Sequence, residues 1–266
     1  MPIRSNFAAP AGAALATAAL LLLAAPAQAA LVAVTVQVQN LTPAGGIAFA
    51  PLHLGFNQGT FDAFNAGSTP GAAITSVAEG GSGSAWQPAF AAADPTATRG
   101  VVGGLLLAGA TASKTFTVDT DLNPYFTFAA MVVPSNDFFI GNDSPTEYKL
   151  FDAAGHLQID SITEKASDIW DNGSEIFDPA AAAFVGDNSL RTAQGGVTTF
   201  NFSELAGFDG FTTGAGYVFH SGLTANQDIY RIGFSAVAVP EPSGGALLAA
   251  GLLGLALMAR RRGLKR

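Results

Sequence analysis

A succession of short β-strand patterns separated by turns is the feature that most restricts how this chain can fold. Valine occupies every second position from residue 32 to residue 38, which is the period of a strand with one buried face. Further strand patterns lie at residues 114–119, 148–152, 156–159, 197–202, 217–220 and 230–238. Residues 125–133 are apolar on both faces, as expected of a central strand. The chain is therefore predicted to be all-β, an antiparallel β-sandwich.

The longest stretch without a strand pattern is residues 72–93. It is rich in small and polar residues, and we expect a long crossing loop that can hold a helix around residues 85–93. Just before it, Phe61 and Phe64 are expected to be core residues. No repeat of propeller or solenoid length is visible, so residues 30–238 are predicted to form one domain.

The charge of the chain is unevenly distributed. Its 12 Lys and Arg residues are outnumbered by 20 Asp and Glu residues. The basic residues close to the chain ends are Arg4, Arg260, Arg261, Arg262, Lys265 and Arg266. The middle is therefore strongly acidic, which disfavours nucleic acid as a partner and favours divalent cations. Because the chain has no cysteine, disulfides and cysteine-ligated zinc are excluded.

Residues 1–29 have the composition of a secretory signal peptide. Arg4 precedes an apolar run at residues 13–25, and Ala27-Gln28-Ala29 supplies the small residues of a cleavage site. The apolar run is short for a membrane span, which favours cleavage after Ala29 over a retained anchor. The protein is therefore predicted to be exported.

Residues 239–266 combine three parts in sequence. Pro240-Glu241-Pro242 breaks any regular element, residues 244–259 are apolar, and a basic cluster begins at Arg260. A simple tail anchor would need only the last two parts, whereas all three in this order resemble the PEP-CTERM sorting signal of Gram-negative bacteria. The resemblance implies processing by an exosortase-type membrane enzyme and transient membrane anchoring through an apolar helix. It also implies delivery to the cell surface or to an extracellular polysaccharide matrix.

Several segments of the middle domain resemble the spondin domain, which occurs in extracellular matrix proteins and in exported bacterial proteins. The matching segments are HLGFNQGTFDAFNAG at residues 53–67, AEGG at 78–81, KTFTVD at 114–119, MVVPSNDFFIG at 131–141 and DNGSE at 171–175. Residues 180–238 match less clearly. The resemblance implies a C2-like antiparallel β-sandwich that binds Ca²⁺ through loop carboxylates. The signal peptide and the sorting segment add apolar helical segments at the two chain termini.

Carried over to this chain, the Ca²⁺ ligands of that family would be Asp137, Asp171 and Glu175. The last residue is Asp in the vertebrate form of the domain, which changes the reach of the side chain and keeps its chemistry. Carboxylates on loops are the hard oxygen ligands that Ca²⁺ requires. Since Ca²⁺ takes about 6–8 oxygens, carbonyl groups or waters would complete the shell. Asp143 and Asp178 are reserve candidates.

No catalytic pattern is present, and the protein is predicted not to be an enzyme. His53, His156 and His220 lie in separate segments, and there is no nucleophile elbow. Trp86 and Trp170 could stack on a sugar, although a core position is more typical. Two functions remain open. One is a Ca²⁺-stabilised adhesion or interaction module that contacts matrix polysaccharide or surface proteins. The other is a carbohydrate-binding, lectin-like module of the exopolysaccharide matrix.

Overall fold

The computed structural model describes residues 31–239 and Gly251. The predicted signal peptide at residues 1–29 lies outside the described residues, as does the predicted sorting segment beyond Val239 apart from Gly251. The apolar helices expected at the two termini therefore fall outside the description. Neither of the two α-helices within residues 31–239 is long and apolar enough to cross a membrane.

Twelve strands and two short α-helices make up the described part of the chain. The strands are β1 (Leu31–Asn40), β2 (Ala48–Phe49), β3 (Leu52–Asn57), β4 (Thr98–Val102), β5 (Thr111–Asp119), β6 (Tyr125–Val133), β7 (Phe138–Gly141), β8 (Tyr148–Lys149), β9 (Ser161–Lys165), β10 (Trp170–Asp171), β11 (Thr199–Phe200) and β12 (Asp228–Ala238). The helices are α1 (Ala72–Ala78) and α2 (Trp86–Ala93). Three 3₁₀ turns lie at Ala166–Asp168, Asn188–Leu190 and Ser203–Phe208.

The strands form two antiparallel sheets. In the first sheet the order is β5-β1-β12-β9, and Val34 of β1 lies opposite Phe116 of β5 and Ala236 of β12. In the second sheet the order is β11-β10-β7-β6-β3-β4, and β2 and β8 also pair with β6. The prediction of an all-β, antiparallel fold is confirmed.

The alternating side chains of β6 face different hydrophobic clusters. Phe126 and Phe128 point into the main core, which they share with the valines of β1 from the other sheet. Ala129 points the other way, into a second cluster with Trp86 and Phe90 of α2. Burying one large apolar side chain contributes about 1.5–3 kcal/mol. A strand that is covered on both faces must be apolar throughout, which explains the sequence of residues 125–133.

Agreement with the sequence predictions is closest where the pattern is strong. β1, β6 and β12 coincide with predicted strands, and α2 lies where a helix was allowed. The strands that were not predicted are β2, β3, β4, β7, β9 and β10. Residues 156–159 and 217–220 were wrongly predicted as strands. Each contributes only an isolated bridge, Phe151–Leu157 and Thr212–Val218 respectively. Residues 72–93 hold α1 as well as α2, because Ile74, Val77 and Ala78 are buried on one side of α1.

Candidate functional site

The turn between β6 and β7, residues 134–137, is buried and held by its own polar side chains. Ser135 Oγ accepts a hydrogen bond from Phe138 N at 3.1 Å. Asn136 Oδ1 accepts from Asp178 N at 3.0 Å, and Asn136 Nδ2 donates to Asp178 O at 3.2 Å. An amide side chain that pairs with both backbone groups of one residue acts like a short strand. The turn is therefore fixed to the chain around residue 178.

Asp137 joins this turn to the loop that follows β10. Its side chain is only 2% exposed. Oδ2 accepts three hydrogen bonds, from Ser174 N at 2.7 Å, Ser174 Oγ at 3.0 Å and Glu175 N at 2.9 Å. The backbone carbonyl of Asp137 also accepts from Asn172 N at 3.2 Å. The segments PSNDFFIG and DNGSE are therefore in direct contact, although they lie more than 30 positions apart in the sequence.

The loop after β10 has a backbone that only glycine can adopt at residue 173. Gly173 has a φ of +69°, and a Cβ there would lie 2.6 Å from Val197 O. Asp171 Oδ1 accepts from Gly173 N at 2.8 Å, and Asp171 Oδ2 accepts from Asn201 Nδ2 at 3.2 Å. Both carboxylate oxygens of Asp171 are thus used to shape the loop.

Glu175 is buried beside Asp137 and only partly neutralised. Its side chain is 2% exposed, and Oε1 lies 3.4 Å from Arg191 Nη1. The same guanidinium nitrogen lies 3.2 Å from Glu79 Oε2, so one Arg is shared by two carboxylates. Glu175 Oε2 is buried with no hydrogen-bond partner among the described residues, and so is Asn172 Oδ1. The loop therefore contains two buried oxygens that could accept a ligand.

The electrostatics of the cluster favour protons or a cation. Burial raises the pKa of Asp137 to about 6, the bonds from Glu175 and Ser174 oppose that rise, and the charge of Asp171 adds to it. Burial raises the pKa of Glu175 to about 7, followed by repulsion from Glu79, while Arg191 and the nearby Asn136 side chain act in the opposite direction. Asp137 repels both Asp171 and Glu175, so the three carboxylates share one neighbourhood.

The donor chemistry of this neighbourhood fits a hard cation, and its side chains alone do not complete a site. No three His, Asp or Glu side chains within residues 31–239 are gathered closely enough to hold a metal ion. Since Oδ2 of Asp137 takes all three hydrogen bonds, Oδ1 is the oxygen that the described residues leave open. Glu175 Oε2 and Asn172 Oδ1 are the other open acceptors. All three are the oxygen type that Ca²⁺ binds.

The reserve candidates, Asp143 and Asp178, make other hydrogen bonds and do not join the cluster around Asp137. Asp178 is exposed, and its Oδ1 accepts from Ala180 N at 2.9 Å within a turn. Asp143 Oδ1 accepts from Ala66 N at 3.1 Å, and the residue borders a separate cavity. Trp86 is fully buried, and Trp170 is 6% exposed with its indole N–H donating to Gly141 O at 3.0 Å.

Sequence reasoning missed Glu79 and Arg191. Each lies in a segment with no ligand pattern of its own, and they meet Glu175 only through the fold. The side-chain oxygen of Asn172 was also missed, although an Asn amid loop carboxylates is a typical Ca²⁺ ligand and this signal could have found it.

Comparison of the chain with protein-family models gives no match, and comparison with curated proteins gives none. The site is therefore interpreted from its own geometry.

Proposed function

We propose that this chain is an exported surface or matrix protein whose domain, residues 30–238, is a spondin-type adhesion or interaction module stabilised by Ca²⁺. One observation carries the proposal: Glu175 Oε2 is buried without a hydrogen-bond partner in the described residues. It lies next to the hydrogen bonds by which Asp137 joins the β6–β7 turn to the loop after β10. A buried carboxylate oxygen without compensation is costly. A divalent cation at this place removes that cost.

Asp137, Asp171 and Glu175 would hold the ion. Asp137 would contribute the oxygen that its three hydrogen bonds leave open, and Glu175 would contribute Oε2. Asp171 would act mainly through its charge, because both of its oxygens already accept hydrogen bonds. The cation would supply positive charge that links the β6–β7 turn to the loop after β10. The domain would then act by binding, without catalysis.

The proposed route to the surface depends on the two ends of the chain. Residues 1–29 would direct export, and residues 239–266 would act as a PEP-CTERM-type signal for an exosortase-type enzyme, with the membrane as a transient anchor. The acidic middle of the chain supports partners other than nucleic acid. Surface proteins and matrix polysaccharide are the proposed partners.

Binding assays with and without Ca²⁺ test this function. The purified protein would be applied to immobilised cell-surface extract and to a glycan array, each in Ca²⁺ and in chelator. We expect Ca²⁺-dependent retention on the surface extract. Ca²⁺-dependent recognition of defined glycans would instead assign the lectin-like function.

Two variants serve as matched controls for these assays. Asp137→Asn should lose the Ca²⁺ dependence. Asp121→Asn, at an exposed acid in the turn between β5 and β6, should keep it. Retention that is identical in Ca²⁺ and in chelator for the unaltered protein would contradict the proposed function.

A further inference from the structure

A second cluster of acidic residues, separate from Asp137 and Glu175, lines a cavity of about 450 Å³ between the edges of the two sheets. Its acidic lining residues are Asp143, Glu147, Glu164 and Asp168, and its aromatic ones are Tyr148, Trp170 and Phe200. No Lys or Arg lines it within the part of the chain that the structure describes. A cavity of this size suits a small molecule or one long side chain.

Glu164 is the acid that calls for explanation. It occupies a core-facing position of β9, two residues after the buried Ile162, where an apolar residue would be ordinary. Its side chain is only 6% exposed. Its carboxylate accepts no hydrogen bond from the described residues. The charged groups that act on it are two further acids, Asp168 and Glu147. A buried carboxylate with only negative neighbours is uncompensated.

The other carboxylates are partly engaged. Asp168 Oδ2 accepts from Lys165 N at 2.8 Å and its Oδ1 from Ser167 Oγ at 3.1 Å. Carboxylates that are spread over a wall suit an extended cation with several N–H donors better than a single ion.

The aromatic wall is consistent with an organic cation. The exposed ring of Phe200, which is 58% accessible, stacks on Trp170 with centroids 3.7 Å apart. Trp170 is in turn fixed by an edge-on contact with Phe64 at 5.1 Å. Aromatic faces attract ammonium and guanidinium groups, and rigid ones do so without losing conformational freedom.

We propose that this cavity binds an organic cation, an ammonium or guanidinium group on a short aliphatic chain, with Glu164 as its counter-ion and Tyr148, Trp170 and Phe200 as its aromatic wall. A neutral sugar would offer no charge to compensate four carboxylates. The cation can come from a free diamine or from a lysine or arginine side chain of a partner protein. This inference is independent of the proposed Ca²⁺ function.

Calorimetric titration of the purified protein at low ionic strength tests the proposal. The probes are 1,4-diaminobutane, Nα-acetyl-lysine amide and the same lysine derivative acetylated at Nε, which is neutral. We expect saturable binding of the charged probes and none of the neutral one. Tighter binding of the diamine identifies a free amine as the ligand, and tighter binding of the lysine derivative identifies a protein side chain. Equal binding of the neutral probe would overturn the proposal.

Variants locate the binding. Glu164→Gln should weaken it roughly tenfold to a hundredfold, which is the contribution of a charge-assisted hydrogen bond. Phe200→Ala, at a position that is 58% exposed, should weaken it roughly twofold to thirtyfold. Asp121→Asn should leave it unchanged. Unaltered affinity in both Glu164→Gln and Phe200→Ala would overturn the assignment, as would Ca²⁺ binding that survives Asp137→Asn and is lost in Glu164→Gln.

The pH dependence gives a second readout. Burial raises the pKa of Glu164 to about 8, and Asp168 and Glu147 add to the rise. A cation favours the ionised form, so binding should release a proton below pH 8 and tighten as the pH rises from about 6 to 8.5. The titratable groups around Glu164 are Asp143, Glu147, Tyr148, Asp168 and, on the paired strand β12, Tyr230. Affinity that is independent of pH over this range would contradict Glu164 as the counter-ion.

Discussion

Asp137 and Glu164 are both acids buried in the interior of the same fold, but they differ in the hydrogen bonds that their carboxylates accept. Asp137 accepts three hydrogen bonds on one oxygen from Ser174 and Glu175. Glu164 accepts none from the described chain and faces a cavity bordered by other acids. The first carboxylate connects two loops, whereas the second has no structural task that its contacts reveal.

The hydrogen-bond partners of a buried carboxylate show whether it stabilises the fold or is available to bind a ligand. A carboxylate that satisfies backbone N–H groups stabilises the fold, and its removal leaves those groups unpaired. A carboxylate without partners weakens the fold, so its presence needs another explanation, such as a ligand. Mutation of each acid should therefore change stability in opposite directions.

The largest effect is expected from Asp137→Ala. It removes the acceptor of the Ser174 and Glu175 backbone N–H groups and should lower the free energy of unfolding by about 2–4 kcal/mol. Chemical denaturation measures the loss. Asp137→Asn is the matched control, because its side-chain carbonyl can still accept these bonds, and it should lose much less. Equal losses in the two variants would show that the hydrogen bonds are not what Asp137 contributes.

A somewhat smaller effect is expected from Gly173→Ala, which tests the loop that Asp137 holds. At a φ of +69° the added Cβ would lie 2.6 Å from Val197 O, so the loop must shift. We expect a loss of about 1–3 kcal/mol in the free energy of unfolding. Gly67→Ala is a useful comparison, since it has a φ of +73° with no atom within 4 Å of the added Cβ. A loss at residue 173 no greater than that at residue 67 would mean that the close approach to Val197 is unimportant.

The pH dependence of stability sharpens the comparison further. The folded-state pKa values of Asp137, Glu175 and Glu164 are raised to about 6, 7 and 8. The folded chain therefore binds more protons than the unfolded chain between about pH 4 and these values, and stability should fall as the pH rises from 5 to 8 without added cation. One pKa unit corresponds to about 1.4 kcal/mol for each group, so the three groups together should give a loss of several kcal/mol.

Thermal unfolding at pH 5 and pH 8 in chelator checks the sign. Glu164→Gln removes one of the three raised pKa values, so it should reduce the slope and raise the melting temperature at pH 8 by roughly 2–4 °C. Stability that increases from pH 5 to pH 8 in chelator would contradict the raised pKa values of these three acids.

The fold was predictable from sequence where one rule decided the outcome. Alternating valines at residues 32–38 placed β1 inside its observed bounds Leu31–Asn40, and the doubly apolar run gave β6 the bounds Tyr125–Val133. β3 was missed although Leu52, Leu54 and Phe56 alternate with three less apolar residues, because this short pattern stands in a stretch rich in Phe and Gly that favours a packed loop. Strands of two residues, such as β10, depend on their neighbours and carry no pattern of their own.

The candidate site was predictable only in part, for a similar reason. Asp137 and the loop of Asp171 and Glu175 stand in recognisable segments, and those segments do meet. Arg191 and Glu79 reach Glu175 through the folded chain alone. Glu164 could have been noticed, because a charged residue two positions after Ile162 breaks the apolar face of a strand.

Calcium-dependent stability of the purified protein is the most direct test of the central claim that the Asp137 cluster binds Ca²⁺. The measurement is the melting temperature at pH 7.5 in chelator and in increasing Ca²⁺, for the unaltered protein, Asp137→Asn and Glu164→Gln. We expect Ca²⁺ to stabilise the unaltered protein and Glu164→Gln, by ~2.7 kcal/mol at a hundredfold excess over Kd. Asp137→Asn should lose most of the response. Melting that is the same in Ca²⁺ and chelator, or a full response in Asp137→Asn, would contradict the claim.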